Sequence, residues 1–111
     1  MTIERGTTQE VTITIIGWNL TGCDIYVTFK QGARKVTRKT MDSVTYANNA
    51  TKIVLTLTQQ ETLTFEDKKS GLVQVRWIDA SGDAHKTKTA KFDVDELLYE
   101  AVLTKEADDN G

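Results

Sequence analysis

Residues 10–16 read Glu10-Val11-Thr12-Ile13-Thr14-Ile15-Ile16, with apolar and polar side chains in alternation. The side chains of a β-strand point alternately to the two faces of its sheet, so this period of two predicts a strand with one buried face. Thr, Val and Ile are β-branched, and they fit a pleated surface better than they fit a helix. The stretch therefore predicts a half-buried β-strand.

The same alternation recurs along most of the chain. Its clearest examples are residues 24–30, 52–58, 73–77 and 89–94, and weaker strands are predicted at residues 2–5 and 35–39. Turn residues separate these runs at fairly even spacing, and residues 58–63 predict a single helical turn between the sheets. We therefore predict an all-β fold, an immunoglobulin-like antiparallel β-sandwich of about seven strands over residues 1–94.

The composition describes one small domain with few reactive side chains. The 111 residues carry a formal net charge of −2, which argues against a dedicated nucleic-acid binder. A single cysteine, Cys23, excludes an internal disulfide, and a single histidine, His85, excludes a His-rich metal site. Residues 1–8 lack the pattern of a secretory signal, and no apolar run is as long as a membrane span. We expect a protein that is made in the cytoplasm and uses no cofactor.

Three features could carry chemistry, and a structural role is the favoured interpretation of each. No partner group can be named for His85 or Cys23, so we predict an exposed strand-end histidine and a partly buried cysteine. Asp79, Ser81 and Asp83 are spaced like half of a calcium loop, but the later bidentate glutamate is missing, which favours a hairpin turn. We predict no catalytic, metal-binding or cofactor-binding residue, and hence a protein that is not an enzyme.

From Asp95 onward the pattern changes to a helical period. A helix over residues 95–106 would carry one apolar stripe, and Asp93 with Glu96 resembles a capping box. The stripe consists of Leu97, Leu98, Ala101 and Val102, extended by Val94 and Lys105. A helix of about 12 residues is marginal in isolation, so the stripe must dock either on its own sandwich or on a neighbouring subunit. Residues 107–111 are predicted to form a polar tail.

Charge is segregated along the chain. The hairpin predicted around Gln31-Gly32, called here the basic hairpin, carries five basic residues and no acid: Lys30, Arg34, Lys35, Arg38 and Lys39. Between Asp93 and Asp109, seven acids and one lysine give a local charge of −6. Such runs often only face water, but opposite fields can also steer subunits together. Nucleic-acid binding by the hairpin is a third interpretation, disfavoured because no aromatic residues are interleaved with the basic ones.

These patterns predict a subunit interface that combines the helix stripe with the basic hairpin. Its predicted residues are Leu97, Leu98, Ala101, Val102, Lys105, Arg34, Lys35, Arg38 and Lys39. A competing interpretation is a sugar-binding platform of aromatic side chains, for which the candidates are Trp18, Tyr26, Tyr46 and Tyr99. Aromatic residues of this kind more often anchor a core or an interface.

The order of the motifs resembles a known family. The motifs are the opening strand, Asn19-Leu20-Thr21-Gly22 before strand 25–30, the run 53–62, the run 71–77 with its Asp-Ala-Ser-Gly-Asp turn, and Phe92-Asp93-Val94 leading into residues 97–103. They resemble the small immunoglobulin-like domains of tailed-phage structural proteins, and among these the amino-terminal domain of baseplate upper proteins. That family usually continues into further domains, so the resemblance implies a free-standing or shortened relative.

The resemblance implies a virion protein of the tail or baseplate that is made in the bacterial host cytoplasm. Its expected partners are copies of itself and other virion proteins, with no nucleic acid, membrane or small-molecule substrate. Long proline-free strands have edges that ordinarily need cover, and symmetric assembly would supply it.

Overall fold

The structure, a computed structural model, describes residues 1–105. Nine strands and one short helix form within this range. They are β1 Thr2–Ile3, β2 Gln9–Ile16, β3 Asp24–Gln31, β4 Arg34–Arg38, β5 Ser43–Ala47, β6 Ala50–Leu57, α1 Gln59–Leu63, β7 Gly71–Ile78, β8 Ala84–Lys86 and β9 Ala90–Val94. The all-β prediction is confirmed, but the count of about seven strands is not, because β5 and β8 form in addition.

The nine strands form two sheets. The smaller sheet has the order β2-β6-β5 and is antiparallel throughout. The larger sheet has the order β1-β9-β7-β3-β4, and β8 pairs with the far end of β7. Its pairs are antiparallel except for β1 and β9, which run parallel, so the sheet is mixed. The break between β8 and β9 at residues 87–89 leaves one side of the larger sheet without a continuous border strand.

One hydrophobic core lies between the two sheets. Alternate residues of β2 and β6 face it from one side, and alternate residues of β3, β7 and β9 face it from the other. Phe92 is fully buried at its centre, with ring centroids 5.9 Å from Phe29 and 5.2 Å from Phe65. Gly71 lies opposite Phe92, and a Cβ on it would come within 2.6 Å of the Lys30 carbonyl oxygen. The core therefore needs the absence of a side chain at this position.

The helical turn predicted at residues 58–63 is confirmed as α1, which connects β6 to β7 across the end of the sandwich. A capping box starts it: the Thr58 hydroxyl accepts from the Glu61 N–H at 3.1 Å, and the Glu61 carboxylate accepts from the Thr58 N–H at 2.9 Å. Thr62 is fully buried, and its hydroxyl accepts from the Gly6 N–H and donates to the Thr7 carbonyl. The helix thereby holds the loop that precedes β2.

The helix predicted over residues 95–106 is not confirmed, because residues 95–105 are irregular. Local contacts hold this segment in another form. Leu97 packs against Gly6, where a Cβ would collide with it, and Glu100 forms an ion pair with Arg5 at 2.7 Å. The Gln59 side-chain amide accepts from the Leu103 N–H and donates to its carbonyl, both at 2.8 Å, which takes the backbone groups a helix would use. Glu106 and the predicted polar tail at 107–111 lie outside the described residues.

Candidate assembly surfaces

The basic hairpin divides its charges between two faces. Arg34 and Arg38 lie on the same side of β4 as the buried Val36, whereas Lys35 and Lys39 lie on the outer face of the larger sheet. This division follows from the period of two, since alternate residues of a strand point to opposite faces. The five basic residues that the sequence placed together are therefore not one patch.

Both arginines are engaged within the molecule. Arg38 donates from Nη1 to the Thr56 carbonyl at 2.6 Å and to Glu61 at 2.7 Å, so it joins β4 to the capping box of α1. Arg34 donates to the Thr64 carbonyl and to the Glu66 carboxylate, both at 3.0 Å. The pKa of Glu66 is lowered by its hydrogen bonds from Lys69 and, to a smaller degree, from Arg34. These arginines hold the β6–β7 connection and have little freedom to bind a second molecule.

The outer face of the larger sheet carries both basic and apolar side chains. Its members lie on neighbouring strands and include Tyr26, Lys30, Lys35, Lys39, Leu72, Arg76, Ile78 and Lys91. Leu72 and Ile78 are exposed although both are large and apolar. A groove of about 580 Å³ crosses this face and is lined partly by Lys30, Leu72 and Lys91. We call this surface the basic sheet face.

The C-terminal segment, residues 95–105, exposes most of its predicted apolar stripe. Leu98 is 94% exposed and Tyr99 is 70% exposed, and Val102 also faces solvent. Leu97 and Ala101 are half-buried, and Lys105 is exposed. Within the described residues, the structure does not bring the stripe and the basic hairpin together: the segment contacts Arg5, Gly6 and Gln59 instead. An acidic, partly apolar segment is thus left available on the surface.

The predicted aromatic platform is replaced by a different cluster. The Trp18 ring lies 5.4 Å from Trp77 and 4.7 Å from His85, while His85 stacks on Trp77 at 5.6 Å. The aromatic contacts of the described residues do not join Trp18 to Tyr26, Tyr46 or Tyr99. Trp18 is 45% exposed, so the cluster reaches the surface at one end of the sandwich. The sequence pattern did not reveal it because its three members come from one loop and two strands.

His85 is more enclosed than the sequence predicted. It lies on β8, half-buried, and its Nε2 is 2.8 Å from Asp79 Oδ2. Asp79 also accepts at Oδ1 from the Ser81 and Asp83 N–H groups, so the predicted hairpin turn is confirmed. The pKa of Asp79 is lowered by the His85 hydrogen bond above all, and next by the Asp83 N–H. The carboxylate therefore joins the turn to the aromatic cluster.

The described residues contain neither a metal-binding cluster nor a membrane-spanning helix. Among residues 1–105, no three His, Cys, Asp or Glu side chains are grouped so that they could hold a metal ion. The same part of the chain contains no helix long and apolar enough to cross a membrane. Cys23 is half-buried against the core.

Comparison with known proteins assigns neither a family nor a function to this chain. No protein-family model matches the chain, and no curated protein matches it. The surfaces described above are therefore the basis for a function.

Proposed function

We propose that this chain is a non-enzymatic structural protein that acts by assembling with copies of itself, as a tail or baseplate component of a phage or prophage virion. The motif order that resembles tailed-phage domains supports this class. An immunoglobulin-like sandwich is part of the proposal, and the strand order supports it. The series β2-β6-β5 and β4-β3-β7-β9 corresponds to the B-E-D and C′-C-F-G series of that fold.

The exposed C-terminal segment is the observation that carries the proposal. Leu98 and Tyr99 together present a large apolar surface to water, which is unfavourable unless a partner covers it. Asp95 and Glu96 make the same segment acidic, and Glu100 adds a third carboxylate that is paired with Arg5. A partner that covers the segment should therefore offer both apolar contacts and positive charge.

The basic sheet face has this combination. Leu72 and Ile78 are its apolar contacts, and Lys30, Lys35 and Lys39 lie close by on β3, β4 and the residue that follows β4. The C-terminal segment of one copy would dock on the basic sheet face of the next. The predicted helix over residues 95–106 would form there, because a short helix becomes stable once its apolar stripe is covered. Such head-to-tail contacts produce rings or filaments.

Light scattering over a range of protein and salt concentrations tests this contact. We expect oligomers at low salt that weaken as salt screens the opposite charges. Lys35→Glu with Lys39→Glu should abolish this salt-dependent association, whereas the control Lys52→Glu, on the outer face of the smaller sheet, should not. Far-ultraviolet circular dichroism should show helix content that rises with oligomer formation. A monomer under all these conditions would refute the proposal.

A carbohydrate-binding module is the alternative, and the Trp18 cluster favours it. Aromatic rings at the surface can stack on sugars, and Asp79 supplies a nearby acceptor. A glycan array that gives hits with the wild-type chain, loses them on Trp18→Ala and keeps them on Tyr46→Ala, a position outside the cluster, would favour this function over self-assembly.

A further inference from the structure

Strand β2 has one edge without a partner strand. Within the described residues it pairs only with β6, in a continuous register from Gln9 opposite Leu57 to Ile16 opposite Ala50. The Gly17 N–H donates to the Asn49 carbonyl at 2.7 Å, which continues this register. Odd-numbered residues of β2 therefore direct their backbone groups at β6. Because successive residues point to opposite edges, the N–H and C=O groups of Thr12 and Thr14 point away from the sheet.

This edge lacks the devices that usually protect edge strands. The one-to-one register contains no bulge, β2 has no proline, and Glu10 is its one charged residue. Ile16 is 78% exposed at the end of the strand. The N–H and C=O groups of the even-numbered residues Glu10, Thr12, Thr14 and Ile16 thus form a row of donors and acceptors without a partner strand, which is a template for another strand.

A cleft between the two sheets opens beside the same edge. It has a volume of about 280 Å³ and is lined partly by Ile13, Ile15, Val73 and Thr87. It lies beside residues 87–89, which join β8 to β9 and are not part of a strand. Ile13 points toward the core but is only half-buried. A strand added to β2 would cover this apolar opening.

We propose that β2 pairs antiparallel with β2 of a second copy, about a two-fold axis at Ile13. This register places Thr12 opposite the partner's Thr14, and Val11 opposite the partner's Ile15. Ile13 meets the partner's Ile13 on the axis. The two smaller sheets then form one continuous sheet of six strands. The pairing rests on the proposed self-assembly and names a second contact, which differs from the charged head-to-tail one.

The occupant is a second copy because the strand is complementary to itself. In this register, residues of equal parity are opposite one another, so core-facing side chains meet core-facing side chains and threonines meet threonines. Glu10 lies opposite the partner's Ile16, which keeps the two carboxylates apart. The outward-pointing groups of Thr12 and Thr14 also match, since the hydrogen-bonded pair in this register consists of these two residues. An isologous contact of this kind closes on itself.

Sedimentation velocity with the full chain tests the register through charge. Thr12→Glu with Thr14→Glu sets carboxylates against carboxylates across the axis, and we expect dimerisation to weaken about tenfold or more. Thr12→Lys with Thr14→Glu sets opposite charges against each other in the same two places, and it should restore the dimer. Thr45→Glu is the matched control, because Thr45 lies opposite Lys52 on β5, at the other edge of the same sheet from β2.

Salt separates the two contacts. The wild-type β2 dimer should persist at high salt, where the head-to-tail contact is lost. Oligomers that vanish at high salt would support the head-to-tail contact and overturn the β2 dimer. A wild-type chain that stays monomeric at about 100 μM would overturn both. Equal weakening by both double variants would also overturn the register. Thr14→Pro removes an outward N–H that the monomer does not use, so it is a second variant that should fold and not dimerise.

Discussion

Replacement of Thr51 by valine should lower the free energy of unfolding by about 2 kcal/mol, since two hydrogen bonds to backbone groups are lost. The fully buried Thr51 hydroxyl accepts from the Leu20 N–H at 3.0 Å and donates to the Trp18 carbonyl at 2.5 Å. Valine has nearly the same shape, so no cavity forms, and the loss measures the bonds alone. Each bond contributes about 1 kcal/mol, and Leu20 is itself fully buried, which prevents water from replacing the hydroxyl.

Urea denaturation followed by circular dichroism measures this loss, with an unchanged dependence on urea as the sign that the folded state keeps its compactness. Thr51→Ser is the control: it keeps the hydroxyl, loses one methyl group, and should cost about 1 kcal/mol. Tryptophan fluorescence of the folded state should change in the valine variant, because the Trp18 carbonyl loses its anchor. If valine costs less than serine, the hydroxyl does not hold the loop and the reasoning is wrong.

Two further predictions concern the core and the β7–β8 turn. Gly71→Ala should destabilise the fold by about 1–3 kcal/mol in urea denaturation, because its methyl group would press on the Lys30 carbonyl and the Phe92 ring. The same substitution should cost less in a Phe92→Leu background, where the ring is absent, and an equal cost in both backgrounds would show that the ring is not the obstacle. The pKa of Asp79 is lowered in the folded state, so its contribution to stability is present above its ordinary pKa of 3.8 and is lost as the pH falls through the folded value. Asp79→Asn should therefore flatten the acid side of the curve of unfolding free energy against pH. An unchanged curve would show that the hydrogen bond with His85 is not coupled to folding.

Periodicity predicted the long strands well because their core-facing residues are apolar and alternate with polar residues in the sequence. Val11 and Ile15 of β2, and Ile53 and Leu55 of β6, are core residues in alternating runs. β5 was missed because Val44 is its one partly buried apolar residue. β8 was missed because three residues are too few for a period to be read.

The surfaces were harder to predict because they depend on contacts distant in sequence. Alternation alone could have placed Arg34 and Lys35 on opposite faces of β4. It could not reveal that Glu61 and Glu66, which pair with Arg38 and Arg34, lie in the β6–β7 connection, far away in sequence. The apolar stripe at the C-terminus fits a helix by pattern. Whether a helix forms, however, depends on which surface packs against the stripe. In the single chain, Gly6 and Gln59 contact the segment in a non-helical form.

The parallel pairing of β1 with β9 affects how the domain would bear mechanical load. The Asp93 N–H donates to the Met1 carbonyl at 2.9 Å and the Asp95 N–H to the Ile3 carbonyl at 3.0 Å, so the two strands run side by side in the same direction. Tension that draws β1 backwards and β9 forwards acts along the strands, across all their hydrogen bonds at once. Hydrogen bonds loaded together in shear resist a pulling force better than bonds that open one after another. The short β1–β9 pairing would therefore resist mechanical unfolding of the domain.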